Sequence, residues 1–71
     1  MDKELLRQRM RRHGFSQEAM AEVIGVERAT LNRKIHGANK GFFLMEIYAI
    51  GKALQLTRKE LTEIFFDDYG E

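Results

Sequence analysis

The sequence predicts an all-α protein, a compact bundle of about five short helices. Three observations carry this. Apolar residues recur three and four apart, the helical period, and do not alternate as strands require. Glycines and capping residues divide the chain at short intervals, and none of the 71 residues is proline. A chain of this length is one domain and buries only about 60% of the surface that its unfolded form exposes. With no cysteine, neither a disulfide nor a thiolate metal site can staple it, so packing must hold it together. Residues 1–66 are expected to form the domain, with residues 67–71 as an acidic, frayed tail.

The first helix is expected from Asp2 to Arg12, with Leu5, Leu6 and Met10 inward, and it stops at His13-Gly14, where glycine suits the left-handed C-terminal position. Phe15 and Ser16 open the second, with Ser16 as N-cap, Glu18 in the first turn and Met20, Ala21 and Ile24 as the inner face. Gly25 breaks it and Val26 follows as an apolar anchor. The third, Glu27 to His36, is thinly apolar: Leu31 and Ile35, one turn apart, make a narrow inward stripe among polar residues. A loop over residues 37–41 leads to the fourth, Leu44 to Leu54, with Leu44, Ile47, Ile50, Gly51 and Leu54 at helical spacing. Thr57 caps the fifth, which turns Leu61, Ile64 and Phe65 inward.

Several function classes fall away. No stretch approaches the ~20 apolar residues of a membrane span and the start lacks a signal-peptide pattern, so a soluble, cytoplasmic protein is expected. His13 and His36 are too far apart to suggest a metal site, and Asp67-Asp68 stands on a tail without a cleft; no enzyme, cofactor or metal is expected. The net charge is only +1, but it is unevenly placed. Residues 1–40 carry nine Lys/Arg against five Asp/Glu, and residues 41–71 three against six. That asymmetry points to one face for an anionic partner.

The segment from Ser16 to Gly37 has the logic of a helix-turn-helix. Two helices crossing steeply over a short turn need a small residue at their closest approach and a turn residue tolerant of positive φ. Ala21 and Gly25 supply these, while Val26 and Leu31 seal the angle. The second of the two helices then projects outward, able to enter a DNA major groove about 12 Å wide. Arg28 and Arg33 are the leading base contacts, since arginine pairs bidentately with guanine, and Thr30 and Asn32 are further base or phosphate donors. Lys34, Asn39 and Lys40 suit phosphate positioning, with Arg9, Arg11 and Arg12 adding to the field.

Phe15-Ser16-Gln17-Glu18, Ala21, Ile24-Gly25-Val26 and Thr30-Leu31-Asn32-Arg33 resemble the Cro and cI-type phage repressor helix-turn-helix family, in particular the short Cro-like regulators of temperate phages of Gram-positive bacteria. The likeness runs on through Phe42, Glu46-Ile47, Lys52-Ala53-Leu54 and Glu63 to Phe66. It implies a lambda-repressor-like domain, a double-stranded DNA operator, frequent dimerisation, and a part in the lysis–lysogeny switch. It also implies that Gln17 bridges a phosphate and the recognition helix. Some similar small regulators instead bind a partner repressor and modulate it. The chain departs from the family pattern at Glu27 and Phe43, where small hydroxyl caps are usual, and at Met45, commonly polar. A phenyl ring in a capping position leaves helix N–H groups unsatisfied, which is easier to account for if it is buried against a partner. Phe43, Met45 and Phe66 are therefore the candidate protein interface, the alternative being that Phe43 folds back beside Phe42.

Overall fold

The computed structural model describes residues 1–37 and 41–66. They form five helices: α1 (Lys3–Arg12), α2 (Gln17–Ile24), α3 (Arg28–Ile35), α4 (Leu44–Ala53) and α5 (Arg58–Phe65). No strand occurs among the described residues. All five expected helices are present, displaced by at most a residue or two at their ends.

The core gathers the inward residue of every helix: Leu6 and Met10 from α1, Met20 and Ala21 from α2, Leu31 and Ile35 from α3, Ile50 and Leu54 from α4 and its cap, and Ile64 from α5. Phe42 and Phe65 pack edge to face against this cluster, ring centroids 5.6 Å apart. The bundle closes where Asp2, the N-cap of α1, donates its own N–H to the Ile64 carbonyl at 2.7 Å. A second tie joins the same helices, as Glu60 meets Arg9 at 3.4 Å and Arg12 at 3.8 Å.

Four helix entries share one design: a residue in the left-handed region, an apolar anchor, then the N-cap. They are Gly14-Phe15-Ser16, Gly25-Val26-Glu27, Gly41-Phe42-Phe43 and Gln55-Leu56-Thr57. At three of them the preceding helix closes by a Schellman pair; after α2, for example, Val26 N–H reaches the Ala21 carbonyl and Gly25 N–H the Glu22 carbonyl. Gln55 does the glycine's work at φ 55°, a conformation that costs a residue with a Cβ.

Candidate nucleic-acid interface

The turn between α2 and α3 fixes the geometry of the site. Gly25 takes φ 74°, which glycine adopts without strain, and Ala21 lies buried where the two helices approach. Leu31 is fully buried and Val26 packs against the core beneath the turn. These contacts seat α3 on α2 by one side alone.

The other side of α3 faces outward. Arg28, Ala29, Asn32 and Arg33 are exposed, and Thr30 is half-buried at their edge. The spacing i, i+1, i+4, i+5 makes them one surface. Arg33 is braced within it, its guanidinium donating to the Thr30 hydroxyl at 3.1 Å. Arg28, Thr30, Asn32 and Arg33 thus stand together as the spacing requires. Ala29 joins this surface although alanine reads in sequence as apolar filler; its position two residues before the inward Leu31 is the signal that it is exposed. On a surface that meets base edges, a small apolar side chain suits a thymine methyl.

Lys34 does not stand with them. Only 6% exposed, it points into the bundle. Its ammonium lies 3.2 Å from Glu46 Oε1, 3.4 Å from the Gly41 carbonyl and 4.4 Å from the centre of the Phe43 ring. The expected solvent-facing phosphate contact is corrected to an inward cation, because residue 34 flanks the Leu31–Ile35 stripe on the side that Gly41, Phe43 and Glu46 cover. Asn39 and Lys40 lie outside the described residues.

Gln17 opens α2 beside its cap Ser16, whose hydroxyl accepts from the Ala19 N–H at 3.0 Å. With Arg7, Arg11, Met10 and Phe15 it lines a shallow hollow of about 180 Å³. Arg9 and Arg12 are engaged with Glu60 instead. Glu27, at the head of α3, is exposed and forms no side-chain cap.

At the head of α4, Phe43, Leu44, Met45 and Tyr48 are 68%, 55%, 78% and 57% exposed. Phe43 does not fold back into the core. The first-turn N–H groups have no side-chain cap, as expected, while Glu46 accepts the N–H of Phe43 itself at 2.9 Å. Phe66, grouped with Phe43 and Met45 from sequence, is half-buried and lines a groove with Phe42 and Phe65. Among the described residues no cluster of His, Asp or Glu could hold a metal ion, and no helix is long and apolar enough to cross a membrane.

Two helices packed across a short turn, the second with a polar, arginine-bearing outer surface, are the arrangement that enters a major groove. A family model of the Cro/C1-type HTH DNA-binding domain matches residues 5–67, nearly the whole chain. The chain belongs to that family. It is a helix-turn-helix DNA-binding protein, with α2 and α3 as the motif. No curated protein and no solved structure matches it significantly.

Proposed function

We propose that the protein is a Cro-like transcriptional regulator of a phage genetic switch that reads its operator by laying α3 in the major groove. The observation that carries this is the outer surface of α3. Arg28, Ala29, Asn32 and Arg33 are exposed in register, while the opposite side of the helix is anchored by Leu31 and Ile35. In this reading Arg28 and Arg33 pair with guanine, Asn32 and Thr30 with neighbouring bases, and Ala29 with a thymine methyl. Gln17 and Arg11 hold the phosphate backbone beside α2, Asn39 and Lys40 are further phosphate contacts by residue type, and Lys34 drops out of the set. The protein works in the cytoplasm of the bacterial host.

Selection from random duplexes, followed by titration of single-base variants, tests it. Arg33→Ala should cost about 1–3 kcal/mol at one base pair and relax preference there, whereas Arg11→Ala should weaken all duplexes alike. An unchanged ranking of sites in Arg33→Ala would refute the base-reading role.

A second reading is favoured by one feature, the exposed quartet Phe43, Leu44, Met45 and Tyr48. Contiguous large apolar side chains on a monomer mark a protein interface, either a dimer seam or the docking surface of an anti-repressor for a partner repressor. Sedimentation of Met45→Ser/Tyr48→Ser, alone and with the neighbouring repressor of the same genome, distinguishes the two. Loss of self-association identifies the seam, loss of the mixed complex identifies the docking surface, and no change in either removes this reading.

A further inference from the structure

We infer that Lys34, Glu46 and the Phe43 ring form a strut that sets the angle of α3 on the bundle, making Lys34 and Glu46 positioning residues for base recognition. This rests on the reading that α3 contacts bases.

The recognition helix is short and held from one side. Its eight residues have two apolar anchors, and its close helix packing is against α2, across the turn at its own N-terminal end. The last turn has a different tie. Lys34 Nζ lies 3.2 Å from Glu46 Oε1 in the first turn of α4 and 3.4 Å from the Gly41 carbonyl ahead of it. The same Glu46 oxygen accepts the Phe43 N–H at 2.9 Å, so one carboxylate fixes both the start of α4 and the end of α3. The side chains of Lys34 and Glu46 are 6% and 13% exposed, and the Phe43 ring lies against the ammonium from outside. An ion pair so enclosed resists screening, and neither partner tolerates loss of the other as an exposed pair would.

Arg33 precedes Lys34 directly, one facing out and the other in. A rotation of α3 that releases Lys34 therefore displaces the Arg33 guanidinium from its place on the outer surface. Bidentate pairing to a base tolerates displacements of only about 0.5 Å. Phosphate attraction is far less demanding in direction, so the strut bears on sequence discrimination more than on general DNA affinity.

That difference separates a positioning role from a merely structural one. Loss of stability lowers the folded fraction and scales the affinity for every duplex by one factor; loss of alignment lowers the ratio of selected to scrambled duplex. The experiment measures that ratio by competition titration for wild type, Lys34→Met, Glu46→Gln and the conservative Lys34→Arg, at a temperature where circular dichroism shows each folded. Lys34→Met and Glu46→Gln should each lower the ratio about tenfold, one bidentate contact's worth, with scrambled-duplex affinity within about twofold of wild type. Lys34→Arg should retain most of the ratio, and the double variant should lose no more than either single one. An unchanged ratio in the folded single variants overturns the strut. Should those variants fail to fold, Phe43→Leu serves, because its ring is largely exposed. With the pair opened to water, the ratio should fall more steeply with added salt than in wild type, and a wild-type salt dependence overturns the proposal. A wild-type protein that prefers no duplex overturns the base-reading proposal, and the strut with it.

Discussion

Glu27→Ser perturbs the head of the recognition helix in two separable ways. At φ −77° and ψ 156° the Glu27 backbone already has the extended geometry of an N-cap, yet its side chain makes no capping bond. Ser16 and Thr57 hold nearly the same angles and do make one, to Ala19 and Glu60 N–H groups at 3.0 and 3.1 Å. A serine at 27 should therefore reach the Thr30 N–H without backbone movement. The gain is about 0.5–1 kcal/mol, which for a domain this small raises the melting temperature by about 2–8 °C. The substitution also removes a carboxylate from the end of α3 that would approach phosphates. For a phosphate about 8 Å away in water, the relief is about 0.5 kcal/mol, or roughly twofold in affinity, and it fades as salt rises. Thermal melting measures the first effect and a DNA titration at 50 and 300 mM salt the second. Glu27→Gln separates them, since it lifts the charge without supplying the short hydroxyl. Two results would refute the reasoning: a melting temperature for Glu27→Ser no higher than for Glu27→Gln, or a DNA affinity unaltered by either substitution at low salt.

Gln55→Gly should raise stability by about 0.5–1 kcal/mol, since the left-handed residue is exposed and the relief of φ 55° outweighs the extra freedom of the unfolded chain; a urea titration that shows destabilisation would contradict this. Glu60 gives an acid-limb prediction. The Thr57 N–H, then Arg9 and Arg12, hold its carboxyl below the usual range against some opposing desolvation. A lowered folded pKa means stability present above the unfolded value of about 4.3 and lost as pH falls through the folded one. Melting curves of wild type and Glu60→Gln should therefore diverge above pH 5 and converge toward pH 3, and parallel curves would exclude the role. For the apolar head of α4, the paired serine variant Met45→Ser/Tyr48→Ser should keep the wild-type melting temperature at low concentration, because both side chains are mostly exposed.

The five helices were legible in the sequence because each is bounded by local signals. Ser16 and Thr57 cap, Gly14 and Gly25 terminate, and Leu6/Met10 or Leu31/Ile35 mark the inner stripe without reference to any distant residue. The outer surface of α3 was partly legible for the same reason: once Leu31 and Ile35 point inward, the helical period sends Arg33 outward and Asn32 to a flank, whereas Arg28 shares the phase of Leu31 and is exposed because it opens the helix. The burial of Lys34 was not legible, because the helical period sets it on one flank of the Leu31–Ile35 stripe just as it sets exposed Asn32 on the other. What covers that flank, and the carboxylate that makes burial tolerable, come from α4, twelve residues on. The orientation of Phe43 depends on that same distant pair, so the sequence could mark it as anomalous but not say which way the ring turns. Glu60 likewise showed only its local capping half; its arginine partners sit some fifty residues earlier, on α1.

The repeated three-residue entry to the helices also bears on how fast the fold forms. At three of its four occurrences the chain reverses through hydrogen bonds that span no more than six consecutive residues, so these corners can close as soon as the preceding helix exists. Corners of this kind form on the submicrosecond-to-microsecond scale of helix growth and short-loop closure. The absence of proline removes the slow isomerisation step of tens of seconds that often limits refolding. What remains non-local is the packing of α2 against α4 and the return of α1 to α5, through the Asp2 N–H on the Ile64 carbonyl and Glu60 on Arg9. Refolding should therefore be a single fast phase whose rate is governed by the docking of α2 on α4 and of α1 on α5, so that the fold forms soon after its helices do.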